Sequence, residues 1–333
     1  MIAMPRIGSL TAGPLGTIAD VAGVTVGHCT LDEGAVQTGV TVVRPHDGDL
    51  YRSKVPAAAS VINGFGKSIG LVQVDELGVL ETPIALTNTF GVGTVANAQI
   101  RDAIEANPSI GRDWPTVNPL VFECNDGYLN DIQALAVQES HYRDALHGCD
   151  AGFERGSVGA GRGMSCFDMK GGIGSASRAV RIAGRECMTG ALVLANFGRI
   201  PMLKLDGIAV GRAMQQHEPE QGSIIMIVAT DAPLDARQLR RLSLRAAAGL
   251  ARTGSVYGHG SGDIALAFTT AWTVPHLADF VPVPALVADA RLDPLFQAAA
   301  DSVEQAIVDA LFSAEPVTGR DGNRRLSLKD MQP

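Results

Sequence analysis

Disulfide chemistry has little to work with in this sequence. Its five cysteines (Cys29, Cys124, Cys149, Cys166 and Cys187) are odd in number, widely spaced and never form a Cys-x-x-Cys pair. Such spacing describes buried thiols in a reducing compartment rather than a disulfide framework or a zinc knuckle. Long apolar runs are missing too. None approaches the ~18 residues that a membrane span requires, so no membrane partner is expected. The first residues, Met1 to Gly8, lack the charged start and apolar core of an export signal, and the expected location is the cytoplasm. Positive charge is in deficit, with 27 Lys and Arg against 35 Asp and Glu. The resulting −8 argues against nucleic acid as a partner. The seven histidines are scattered, without His-Glu-x-x-His or a metal-spaced cluster, and no metal or other cofactor is expected.

What is present is apolar and small. Of 333 residues, 46% are hydrophobic and 38 are glycine, against 5% aromatics. That composition describes a large core with many tight turns and close backbone approaches. Alternating or wholly apolar runs predict strands at 38–44, 57–62, 70–74, 84–87, 119–122, 190–195 and 223–229. Before them, residues 1–30 read as an edge hairpin or meander. A helix capped by Thr94 is predicted to run to Ala106, and another, capped by Asn125 or Asp126, to carry Ile132, Leu135 and Leu146 inward. The glycine-dense stretch 148–178 reads as loops and strand ends, 203–208 as a hairpin and 212–221 as a polar excursion. Asp235 can cap a basic amphipathic helix bearing Leu239, Leu242, Ala246 and Leu250, with Gly254 as its stop. After a loop at 282–291, Asp293-Pro294 starts a last helix with Leu295, Ala299, Val303, Ile307 and Leu311 on one side. No repeat and no composition break marks a linker. One domain, an α/β layering of sheet covered by helices, fits this pattern.

The chain is organised around Gly258-His259-Gly260-Ser261-Gly262-Asp263 and the apolar run that follows, Ile264 to Phe268. Glycine on both sides allows backbone that a β-carbon would forbid, so Ser261 is a candidate nucleophile and the bond before it a candidate cleavage point. On local pattern alone, an ordinary glycine-rich turn entering a strand is the favoured reading.

Several signals fail. Phe65-Gly66-Lys67-Ser68 ends like a phosphate-binding loop, but Val61 stands where that loop needs glycine. Gly159-Ala160-Gly161-Arg162-Gly163 and Gly172-Ile173-Gly174 match dinucleotide fingerprints only loosely. His259 is close to Ser261 in sequence but reads as a turn residue. Three polar groupings survive. Glu123, Asn125, Asp126, Tyr128, Asn130 and Asp131 crowd a strand-to-helix junction, where capping and solvent exposure are the alternative reading. Asn196 ends an apolar strand, where its amide must be paired, structurally or catalytically. Ser313-Ala314-Glu315 closes the last helix, putting a carboxylate against the helix dipole.

Together the segments 125–131, 156–165, 170–178, 195–198, 229–233 and 260–263 resemble, in order, the motifs of the L-aminopeptidase/D-Ala-esterase/amidase family. That family includes the β-peptidyl aminopeptidases. The likeness runs from about residue 15 to Gly322. It implies a four-layer αββα sandwich like the N-terminal-nucleophile hydrolases but with different connectivity. It further implies self-cleavage between Gly260 and Ser261 into an α chain, 1–260, and a β chain, 261–333. Ser261 is then the acylated nucleophile, with its freed α-amino group as proton acceptor.

By the same resemblance Asn196 donates to the oxyanion. Ser313 and Glu315 supply a supporting proton relay, with direct base action by Glu315 left open. Tyr128 matches an active-site tyrosine, and Glu123 stands where a carboxylate can hold the substrate's ammonium. The expected substrates are small peptides or amino-acid amides and esters with a free amine, D- or β-amino acids among them. The expected assembly is a homo-oligomer of αβ pairs. The pattern is departed from at Cys124, where threonine is usual, and Trp272 behind the nucleophile strand reshapes specificity or fills core. Two rivals remain: an acyltransferase on the same architecture, and an unprocessed binding protein that has lost catalysis.

Overall fold

A computed structural model describes residues 4–213 and 222–330. Its principal strands are β1 (Thr25–Leu31), β2 (Thr38–Arg44), β3 (Ser53–Gly64), β4 (Ile84–Asn88) and β5 (Leu120–Cys124), followed by β6 (Gly172–Ile182), β7 (Arg185–Asn196), β8 (Gly222–Thr230) and β9 (Ser261–Thr269). The α-helices are α1 (Leu71–Leu77), α2 (Val92–Ala106), α3 (Glu139–His147), α4 (Ala236–Ser243), α5 (Ala246–Arg252) and α6 (Asp293–Ser313).

Two sheets face each other. The smaller has the order β1-β2-β4-β5, antiparallel except for the β4–β5 pair. The larger runs β3-β9-β8-β7-β6, with short strands added beside β3. Only its β8–β9 pair is parallel.

Alternation along the strands explains the layers, because successive side chains point to opposite faces. On β8, Ile225 and Ile227 enter a core shared with Val26, Val43, Leu86 and Phe122 of the other sheet. Ile224, Met226 and Val228, between them, meet Leu239, Leu242, Leu250, Leu295 and Val303 from α4, α5 and α6. On the smaller sheet, Val40, Val42, Ala85 and Val121 pack under Val95, Tyr142 and Ala145 of α2 and α3. Helix, sheet, sheet, helix is the αββα sandwich that the family resemblance implied.

Five local expectations need correction. Residues 70–74 are not a strand. Gly70 and Gly78, both left-handed (φ 93° and 68°), bracket the short helix α1, whose Val74 is buried. Helix α2 begins before Thr94, after a turn in which the Asn88 side chain accepts from the Gly91 amide. No helix starts at Asn125 or Asp126. Residues 125–138 hold only turns and one 3₁₀ turn (Ile132–Ala134) that ends at left-handed, exposed Leu135, and α3 starts only at Glu139. The loops expected over 148–178 give way at Gly172 to the long strand β6. The helix expected at 238–252 is two, α4 and α5, parted at Leu244–Arg245, with Asp235 capping the first through Gln238 and Gly254 (φ 108°) ending the second. From residue 214 on, the expected polar excursion at 212–221 lies outside the described residues.

Candidate active site

The ends of β5, β7, β8 and β9 open on a cleft of about 940 Å³. Glu123, Asn125, Tyr128, Asn196, Ser223 and Gly260 are among its lining residues. The β8–β9 and β7–β8 registers explain this convergence. Gly222 stands opposite Ser261, and Ser223 stands between Gly262 on one side and Asn196 on the other.

Ser261 is the first residue of β9 and is 1% exposed, directly behind Gly260 in the cleft wall. Its amide donates to the Gly258 carbonyl at 2.9 Å. Its Oγ donates to Asp263 Oδ1 at 2.6 Å. Both side chains leave the strand on the same side, as residues two apart must. The pairing with β3 is irregular here: Asp263 faces Asn63 whereas Ile264 faces Val61. That slip puts Asn63 against the turn before β9, where its Nδ2 donates to the carbonyls of Gly258 (2.9 Å) and Ser261. On the other side Gly262 N donates to Ser223 Oγ at 3.1 Å. The turn bearing Ser261 is therefore held on both flanks by side chains of neighbouring strands.

Asn196 is buried at the end of β7. Its Oδ1 accepts from Ser165 N at 2.8 Å, and its Nδ2 donates to Asn125 O at 3.0 Å. Two backbone partners fix which way the amide faces. An amide nitrogen carries two hydrogens, so one N–H is committed to Asn125 and the second is available to a ligand.

Glu123, on β5, is buried too. Oε1 accepts from Lys67 N at 2.7 Å and Oε2 from the Thr89 hydroxyl. Asp126, two residues after Cys124, is buried as well, and its carboxyl accepts from Asn130 Nδ2 at 3.0 Å. Burial pushes Asp126 up to about 6, against the pull of its hydrogen bonds. Cys124, next to Glu123, points into the core, and burial raises its thiol well above the usual range. Lys170 is fully buried nearby. Burial drives its ammonium well below the ordinary value, and it donates to the carbonyls of Gly161, Met164 and Gly171 at 2.7–2.8 Å. Tyr128 sits on the rim, 42% exposed, with the Arg325 guanidinium 3.9 Å from its ring centre.

The structure thus brings Gly260, Asn196, Glu123 and Tyr128 to one cleft, with Ser261 buried directly behind Gly260. It does not bring Ser313 and Glu315 there. Ser313 ends α6 and donates to Asp309 Oδ1 at 3.2 Å, one turn back on its own helix. Its backbone lies against Gly156, which bridges to Ile173 on β6. With neighbouring strands ~4.8 Å apart, β6 is about 14 Å across the sheet from β9. The Glu315 side chain is 75% exposed, with Lys329 Nζ 3.7 Å away.

Sequence reasoning missed Asp263 and Asn63 as site residues. Asp263 was legible, since a residue two beyond Ser261 in a strand must share its face. Asn63 looked like a turn signal and reaches the site only through the β3 irregularity. Among the described residues no group of three or more acidic, histidine or cysteine side chains is arranged to hold a metal.

Comparison with known proteins agrees with this architecture. The chain is 36% identical to the beta-peptidyl aminopeptidase BapA of Sphingosinicella microcystinivorans, covering 93% of this chain and 84% of that protein. A beta-aminopeptidase from Burkholderia sp. superposes with a TM-score of 0.91 at 42% identity, over 97% of this chain and 93% of that one. The L-aminopeptidase D-Ala-esterase/amidase of Ochrobactrum anthropi, described as a variant of the Ntn hydrolase fold, gives 0.91 at 35% identity, over 97% and 94%. The profile of peptidase family S58 matches residues 16–325, nearly the whole chain, and with the fold and cleft agreeing, the chain belongs to peptidase family S58.

Proposed function

We propose that this protein is a serine aminopeptidase that cuts its own chain between Gly260 and Ser261 and then uses Ser261 as nucleophile. The two products, 1–260 and 261–333, stay together because β9 is hydrogen-bonded between β3 and β8. The observation that carries the reading is the position of Gly260 and Ser261. The bond joining them lies at the wall of the cleft that Asn196 and Glu123 also line.

Cleavage turns Ser261 N into an α-amine with a reference pKa of about 8, suited to take the Oγ proton near neutrality. Oγ then attacks the substrate carbonyl, and the second N–H of Asn196 donates to the developing oxyanion. The amine product leaves with the transferred proton, and water releases the acyl group from Oγ. Glu123 supplies a buried negative charge for the substrate's ammonium, which favours short peptides, amides or esters with a free amine. Tyr128 closes the rim over the substrate. The chain works as a homo-oligomer of αβ pairs in the cytoplasm, where its five cysteine thiols stay reduced.

Denaturing mass spectrometry of the purified protein tests this. Two fragments parting after Gly260 are expected in place of one 34.7 kDa chain. Ser261→Ala should leave the chain whole, with amide turnover reduced at least about a thousandfold. Cleavage of that variant, or turnover by an intact wild-type chain, would sink the reading.

A further inference from the structure

The proposed mature base, the α-amine of Ser261, does not exist until the chain has been cut. In the uncut chain that nitrogen is an amide, and its hydrogen is given to the Gly258 carbonyl. Something else must take the proton from Oγ when Ser261 attacks Gly260. We propose that Asp263 is the general base of self-cleavage, acting on the precursor in the step before the α-amine takes over. This rests on the proposed cleavage at Gly260-Ser261.

Asp263 Oδ1 accepts from Ser261 Oγ at 2.6 Å, so the proton already points along the path of transfer. Both side chains are buried, Ser261 at 1% and Asp263 at 0% exposure. Burial keeps bulk water from competing with Asp263 for the Oγ proton. The frame is fixed as well. Asn63 holds the Gly258 and Ser261 carbonyls, and Ser223 holds the Gly262 amide, so the backbone that carries Oγ and the bond to be cut is fixed on both sides. A Cβ at Gly260 would meet nothing within 4 Å, so there is open space beside the residue whose carbonyl is attacked.

The step balances as an N→O acyl shift. The Oγ–H proton passes to Asp263 while Oγ bonds to the Gly260 carbonyl carbon, whose oxygen becomes the oxyanion. Collapse breaks the bond from that carbon to Ser261 N, and the leaving nitrogen takes the proton back from Asp263 as it becomes the α-amine. Water then hydrolyses the ester, giving its hydroxyl to the Gly260 carboxylate and a hydrogen to Oγ. Asp263 ends as it began.

The test is a cleavage time course on freshly made full-length chain, read by denaturing gel and mass, in four forms. Asp263→Asn keeps an acceptor oxygen for the Ser261 hydroxyl but loses basicity. Self-cleavage is expected to slow by about 10²–10⁴-fold, the usual worth of a positioned base. Ser261→Cys brings a thiol, a far stronger acid than the hydroxyl and less dependent on a base, so the double variant S261C/D263N should cut within about tenfold of S261C. A purely structural role for Asp263 would slow both backgrounds alike.

Wild-type-like cleavage by D263N overturns the proposal, as does a double variant slowed as much as D263N is. An uncut wild-type chain overturns the self-processing reading itself, and Asp263 falls with it. If D263N does not fold, D263E carries the test: at least tenfold slowing supports the assignment and an unchanged rate removes it.

Discussion

Ser261-x-Asp263 and Ser313-x-Glu315 are the same three-residue pattern, a serine with a carboxylate two places on. They end up doing opposite things. The first lies on a strand, where residues two apart share a face, and the two side chains meet at 2.6 Å inside the protein. The second straddles the end of a helix. There Ser313 still belongs to α6 and turns back to Asp309, four residues earlier, as helical neighbours do. Ala314 is already extended (φ −68°, ψ 139°), and it swings Glu315 out beside Lys329. A third copy, Ser302-x-Glu304, lies inside α6, and its members part likewise, Glu304 to Arg252 and Ser302 toward the Thr189 carbonyl. Backbone type, not spacing, decides whether such a pair can cooperate.

The largest effect that sharpens the comparison, beyond loss of Ser261 itself, is expected at Asn196. It stands across β8 from Gly262, the residue after Ser261. Asn196→Ala should lower kcat by about 10²–10³-fold with little change in KM, as expected for a donor that meets charge only in the transition state. Steady-state kinetics on an amino-acid amide reads this directly. If KM rises and kcat holds, Asn196 binds substrate rather than the oxyanion, and the cleft end of the comparison is misdrawn.

Glu123→Gln is the next. Glutamine can keep its oxygen toward Lys67 N and turn its amide to Thr89, whose hydroxyl can accept as well as donate. The substitution therefore removes charge while sparing the loop. KM for free-amine substrates should rise on the order of tenfold, about 1.4 kcal/mol, whereas amine-blocked esters should be unaffected. Equal losses on both would show that Glu123 only braces the 65–68 and 88–91 loops.

Most of the frame was legible because burial leaves its mark on composition. β7, β8 and β9 are nearly unbroken apolar runs, as strands covered on both faces must be. β6 was hidden for a related reason. Its Gly172-Ile173-Gly174-Ser175 start resembles a loop, yet a Cβ on Gly174 would lie 1.9 Å from the Ala306 carbonyl of α6. Small residues there record close packing against a helix, which local sequence cannot report. α1 was misread because Leu71, Val72 and Val74 have strand-like chemistry, and only the flanking left-handed glycines impose the helical turn. Within the site, Ser261, Asn196 and Glu123 stood out as polar residues at the ends of apolar strands, and it was the family resemblance that gave them expected roles. Asn63 did not stand out, since its role depends on which residue of β9 it faces.

The smallest expected effect is at Glu315, and it is the one that can break the comparison outright. A carboxylate that relays protons for Ser261 must be in hydrogen-bonding reach of it, directly or through a single intermediary. The Glu315 side chain is mostly in water, and its recorded partner is an exposed lysine at 3.7 Å. Its neighbour Ser313 packs against the turn that bridges to β6, three strands away from β9. An exposed pair of this kind contributes ~0–1 kcal/mol to stability, and nothing to a reaction it cannot touch. Glu315→Gln should therefore leave both self-cleavage and kcat/KM within about twofold of wild type, a change no larger than an exposed ion pair is worth. A hundredfold fall in kcat with an unchanged melting temperature would mean that Glu315 reaches Ser261 in the working enzyme. The end of α6 and the segment after it would then have to move across the sheet edge toward β9 during turnover.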